Sequence, residues 1–151
     1  MRYRAYNAFN KDKSLEILFR PNPVRWQENY VGNENPIRDV GNWSSEIKYL
    51  NDGKISDEIR NMPKDKGGIY MFYLKGPNLP FAEYYILYIG RALCTPSENI
   101  CKRAMHYLKD ERYMIQEMFD NWKNDLYYRY FPDTDNIAIE KNEIALIRSI
   151  D

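Results

Sequence analysis

The sequence predicts an α+β fold: a small, mostly antiparallel three-stranded sheet flanked by helices, preceded by an α/β N-terminal extension. Three observations carry this. GGIYMFYL (67–74) and YYILYIG (84–90) are Gly-bounded runs of β-branched and aromatic residues, which is strand composition. DLYYRYF (125–131) is a third such run, stopped in the prediction by Pro132. Between the second and third runs lie segments with helical apolar spacing, and such an order packs helices on a sheet instead of alternating with parallel strands.

The elements follow in chain order. SLEILF (14–19) alternates weakly and ends at Arg20-Pro21, predicting a strand. Residues 21–36, rich in Pro, Asn and Gly, predict a long surface connection. Two short helices are expected at 43–50 and 56–62, the second capped by Ser56, with Asp57 and Glu58 in its first turn and Pro63 ending it. The first two strand runs are joined by KGPNLPFAE (75–83), whose Gly and two prolines suit a hairpin loop. Ser97 is expected to cap a helix running to about residue 110, with Ile100, Ala104 and Leu108 as its apolar stripe. A second helix is expected at about 111–123, and a last one at 137–150, capped by Asp135 or Asn136. Residues 1–62 are read as an extension packed on the same core as a domain over 63–151.

Composition limits the function classes. At 151 residues the chain has the length of one typical domain. The start, MRYRAYNAFN, lacks the apolar run of a signal peptide, and no apolar stretch approaches a membrane span, so a cytoplasmic protein without a membrane partner is expected. Cys94 and Cys101 fall in no metal or redox spacing and are read as free thiols. The charge is balanced, with 22 Lys and Arg against 22 Asp and Glu. Any surface for phosphates must therefore be a local cluster instead of a global field.

Gly68-Ile69-Tyr70 on one predicted strand and Tyr88-Ile89-Gly90 on the next resemble the two tripeptides that name the GIY-YIG nucleases. The resemblance extends to Arg103 on the following helix, to Tyr107 one turn later, and to Glu143 ahead of Leu146-Ile147 on the last helix. It covers residues 63–151. Seventeen residues separate Tyr70 from Tyr88, more than the family's usual spacing, and the family's asparagine beyond the glutamate helix has no counterpart by Asp151.

The resemblance implies a metal-dependent endonuclease hydrolysing phosphodiester bonds, with DNA favoured over RNA. It implies one Mg2+ or Mn2+ ion per active site, held by Glu143. Tyr70 would act as general base or its relay, Tyr88 would orient water or phosphate, and Arg103 would stabilise the transition state, with Tyr107 beside it. The alternative is a catalytically inactive module that binds nucleic acid or protein with the same fold. A double-strand cut would require a homodimer or two sequential nicks.

The residue chemistry agrees in kind. Arg103 and Tyr107, four apart, share a helical face, and a guanidinium fork suits phosphate. A phenol, with an ordinary pKa of about 10, serves as a base only if a cation lowers that value. Glu143 lies along the apolar stripe of Ile139, Leu146 and Ile147, where an unpaired carboxylate is costly and Mg2+ would compensate it; Glu140 competes for the role. Arg91, Lys102 and Lys109 could contact phosphates, though each alone is an ordinary surface charge. His106 lies about 100° around the helix from Tyr107 and is read as a surface residue. Trp26, Trp43 and Trp122 are most simply core, and any one of the 14 tyrosines, taken alone, is most simply packing.

Overall fold

The computed structural model describes residues 2–6, 14–18, 31–75 and 84–150. All but Lys75 of the expected loop at 75–83, the first part of the connection at 21–36 and Trp26 lie outside those residues. The chain is α+β. Strands β1 (Arg2–Tyr6) and β2 (Ser14–Leu18) pair antiparallel in a hairpin of their own. The main sheet joins β3 (Ile47–Lys48), β6 (Gly67–Lys75), β7 (Tyr84–Ala92) and β8 (Leu126–Asp133) in the order β3-β8-β6-β7, with all pairs antiparallel. A small ribbon pairs β4 (Leu50–Asn51) with β5 (Lys54–Ile55). The helices are α1 (Asp57–Arg60), α2 (Ile100–Met105), α3 (Tyr113–Trp122) and α4 (Asn136–Ile150). Among the described residues no helix is long and apolar enough to cross a membrane.

The sheet therefore has four strands instead of three, and the added strand comes from the segment expected to be a helix at 43–50. Trp43, Ile47 and Leu50 have helical spacing, but tertiary pairing overrides it. The Ser44 N–H donates to the Tyr130 carbonyl at 2.8 Å, the Tyr130 N–H donates to Ser44 Oγ at 3.1 Å, and Ile47 pairs with Tyr128. Pro132 does not stop β8: it pairs opposite Gly68, and the strand runs on to Asp133. The α2 helix starts two residues later than expected. Its cap is Asn99, whose side chain accepts from the Lys102 N–H at 2.8 Å. It ends at Met105, and a separate 3-10 turn, Tyr107–Lys109, buries Tyr107 while Leu108 points outward at 46% exposure. Ser56 precedes α1 as expected, though its hydroxyl makes no capping bond. Asp135 caps α4, its Oδ1 accepting from the Ile137 and Ala138 N–H groups at 2.9 and 3.3 Å.

Both faces of the sheet are covered. On one, Tyr70, Phe72 and Leu74 of β6 join Tyr128 and Leu126 of β8 against Ile100, Ala104, Tyr107, Ile115 and Phe119, together with Tyr49, Leu50, Ile59 and Met62 from between β3 and β6. Fully buried rings such as Phe72 contribute about 1.5–3 kcal/mol each by leaving water. On the other face, Ile69 packs with Ile139 of α4 and with Val31 and Ile37, flanked by Trp43, Ile89, Leu93 and Phe131. Trp43 and Trp122 are thus partly buried at the margins of the two cores. Gly68 sits at φ +147°, and a Cβ there would meet the Phe131 carbonyl oxygen at 2.1 Å, so no other residue fits where β6 enters the sheet. A register shift after Phe72, which pairs with Tyr88 while Tyr73 pairs with Ile86, places a bulge at Leu87.

Candidate active site

Among the described residues, the outer edge of β7 pairs with no strand, and the candidate site wraps around that edge. It is a cleft of about 380 Å³ whose wall takes Tyr70, Tyr88, Arg103 and Arg112 from one side of the sheet and Arg91, Leu93 and Glu143 from the other, with Glu98 between.

Cross-strand register explains how two tyrosines meet. Tyr70 pairs directly with Gly90, and Phe72 with Tyr88. Residues directly opposite share a face, so the Tyr70 ring lies over the glycine. A Cβ on Gly90 would stand 2.6 Å from Tyr70 Oη and 2.8 Å from Tyr88 Cε1. The second tripeptide's glycine thus makes the room that the first tripeptide's tyrosine occupies. The Tyr70 ring stacks on Tyr128 at 5.5 Å and meets Tyr107 edge-on at 5.7 Å.

Arg103 is held by the placement of α2. The Ile100 N–H donates to the Lys66 carbonyl at 2.8 Å, just before β6, and Tyr49 Oη donates to the Ala104 carbonyl at 2.6 Å. Arg103 Nε then donates to Tyr70 Oη at 3.3 Å, and the guanidinium carbon lies 5.7 Å from the Tyr107 ring centre. The two phenols of Tyr70 and Tyr107 hydrogen-bond to each other. The shared face expected of Arg103 and Tyr107 is realised, although the helix ends between them.

Burial dominates the titration here. It pushes the Tyr70 phenol up to about 12, with the bonds from Tyr107 and Arg103 pulling the other way. Burial and the neighbouring Tyr70 push Tyr107 up as well. Burial is the largest influence on Arg103 and opposes its charge, but hydrogen bonds and charge interactions with Tyr70 and Tyr107 together outweigh it and raise the guanidinium further. Among the described residues no carboxylate forms an ion pair with Arg103, so this cation is open to an anionic ligand.

Glu143 departs from the expectation of an unpaired carboxylate. It forms an ion pair with Arg91 and is 15% exposed, and the same guanidinium reaches Glu140 Oε1 at 3.4 Å. Of its apolar neighbours, Ile139 is fully buried and Ile147 is 43% exposed. Arg91 thus lines the cleft as an expected phosphate ligand but already holds a carboxylate. Lys102 stands away from the cleft wall, exposed, with Nζ donating to the Ser97 carbonyl at 2.7 Å. His106 and Lys109 are likewise exposed.

Sequence reasoning missed Arg112, Asp110 and Glu98. Asp110 grips Arg112 through two bonds, Nε–Oδ1 at 2.9 Å and Nη2–Oδ2 at 2.7 Å, and Arg112 Nη1 donates to Tyr88 Oη at 3.2 Å. These residues sit where loops meet helix starts, and no periodicity marks such positions. The one available signal was the charge density of Lys109 to Arg112.

Among the described residues no three His, Cys, Asp or Glu side chains gather into a metal-holding group. The carboxylates that border the cleft are those of Glu143 and Glu98. No protein-family model, curated protein or solved structure matches the chain.

Proposed function

We propose that the chain is a GIY-YIG-type, metal-dependent endonuclease that hydrolyses phosphodiester bonds, with DNA as the favoured substrate. The observation that carries the reading is convergence: Tyr70, Tyr88, Arg103 and Glu143, from four separate elements and matched to a motif in chain order, line one cleft. Phosphodiester hydrolysis requires stabilisation of charge on the non-bridging oxygens and a positioned water. Arg103, charged and without a carboxylate partner among the described residues, supplies the first. Tyr70 is fully buried beneath it and bonded to Tyr107, which suits a relay holding Arg103 in place more than direct contact with water.

Glu143, with Glu98 nearby, would hold a Mg2+ or Mn2+ ion, whose chemistry when bound is to polarise a phosphoryl oxygen and acidify a water. Arg91 would then turn from Glu143 towards Glu140 or a phosphate.

Incubation with plasmid DNA and Mg2+ or Mn2+ tests the reading. Wild type is expected to cleave, EDTA to stop it, and Arg103→Ala and Glu143→Gln each to slow it by about 100- to 1,000-fold. Nicked circles accumulating before linear DNA would indicate sequential nicks, and linear DNA appearing at once a homodimer. Absence of cleavage by wild type, or equal cleavage by all three proteins, would sink the enzyme reading. The Arg91–Glu143 ion pair favours a second reading, a binding module without turnover. Retention of DNA in a gel shift without cleavage is its signature.

A further inference from the structure

The cleft contains two arginine–tyrosine pairs, only one of which the motif explains. Arg103 serves Tyr70, and Arg112 serves Tyr88. The two phenols differ in access. Tyr70 is fully buried, whereas Tyr88 is partly exposed at the free edge of the sheet. A substrate oxygen entering the cleft therefore meets Tyr88 first.

Arg112 is held in place before any substrate arrives. Asp110, two residues earlier, takes its guanidinium by the two bonds given above, and the guanidinium carbon sits 5.7 Å from the centre of the Tyr88 ring. One nitrogen, Nη1, is aimed at Tyr88 Oη. An arginine only donates, so the phenol oxygen must accept there. Its own proton is consequently directed away from the guanidinium, which leaves it available to an oxygen in the cleft that Tyr88 lines.

Resting on the nuclease reading of this cleft, we infer that Asp110 and Arg112 are positioning residues that make Tyr88 the phenol presenting its O–H to a non-bridging phosphate oxygen of the substrate. Tyr88 keeps its proton and donates a hydrogen bond, so no group is transferred. Arg103 supplies the charge on the same phosphate. Arg112 acts through Tyr88, since every one of its three nitrogens already donates, two to Asp110 and one to the phenol, which leaves no unengaged pair for a forked grip on phosphate.

The test uses protein carrying carbon-13 at tyrosine Cζ, with the Tyr88 signal assigned by its loss in Tyr88→Phe. A short DNA duplex is added in Ca2+, which suppresses cleavage. The Tyr88 resonance is expected to move in wild type, to move much less in Arg112→Ala, and to respond partially in Asp110→Asn. In Mg2+, Arg112→Ala is expected to lower kcat about 100-fold while changing KM little, the signature of misplacement and not of lost binding. Arg112→Lys keeps the charge but cannot hold Asp110 in two bonds and Tyr88 in a third, so it restores neither readout.

A Tyr88 signal indifferent to duplex, or one that responds equally in Arg112→Ala, overturns the inference. So does full rescue by lysine, which would reduce Arg112 to a plain charge. A wild type that fails to cleave but whose Tyr88 still responds through Arg112 would sink the nuclease reading and leave the positioning role standing.

Discussion

A methyl group is all that separates Gly90 from an ordinary strand residue, and the site has no space for it. The Tyr70 phenol and the Tyr88 ring both fall inside contact distance of a Cβ at that position. Gly90→Ala is therefore expected to lower stability by about 1–3 kcal/mol, read as the midpoint of urea unfolding, because β6 and β7 must separate to admit it. The same tyrosines set an alkaline limit. Tyr70 is pushed up to about 12 by burial, and burial raises Tyr107, Tyr49 and Tyr128 too. Below pH 10 both folded and unfolded chains keep these phenols neutral. Between about pH 10 and 12 only the unfolded chain ionises, so stability is lost as pH rises through that window. Tyr70 alone is expected to cost about 3 kcal/mol across it, and Tyr70→Phe should flatten the fall, measured by unfolding at a series of pH values. Tyr70, Tyr88 and Gly90 were legible in the sequence because two strand-like runs carry the tripeptides of a known motif, but that Tyr70 lies opposite Gly90 was not, since the pairing of β6 with β7, bulge included, sets that register. The partner of Glu143 was not: Arg91 lies 52 positions away, and nothing local encodes a contact at that distance.

Elements were legible where a single segment carries its own pattern, and illegible where a partner decides. The β6 and β7 runs are aromatic and β-branched in themselves, and both form strands over nine residues. Residues 43–50 had helical spacing, yet β8 offered an unpaired edge and took Ile47–Lys48 as a fourth strand. Helix starts were misjudged for a related reason, since Ser97 and Asn99 are both good caps by type and only the Ile100–Lys66 backbone bond decides between them. Asn99→Ala is accordingly expected to cost about 1 kcal/mol, or roughly 2–4 °C in melting temperature. Ser97, whose hydroxyl meets exposed Thr95 at 3.3 Å, should change stability by less than about 0.5 kcal/mol as alanine. Thermal melts of the two variants side by side would separate the alternatives, and the reverse ranking would move the start of α2.

For the whole molecule, the balanced charge and the placement of arginines lead to one expectation. With 22 basic and 22 acidic residues the chain has no net field to gather phosphates, and the cleft concentrates Arg91, Arg103 and Arg112 at the free edge of the sheet. Two of the three are answered by carboxylates, Arg91 by Glu143 and Arg112 by Asp110. Binding of a nucleic-acid backbone should then release few counterions. Each neutralised phosphate contributes about −0.9 to the slope of log K against log salt, so three arginines at most give a slope of about −3. Fluorescence anisotropy of a labelled duplex at several salt concentrations measures this directly. Arg103→Ala should flatten the slope by about one unit, because its guanidinium is the cleft cation with no carboxylate partner among the described residues, whereas Lys102→Ala should leave it unchanged. A slope near −6 would require a second group of phosphate contacts outside the cleft. It would also move recognition from the free edge of β7 to a surface that neither the motif nor the arginine–tyrosine pairs predict.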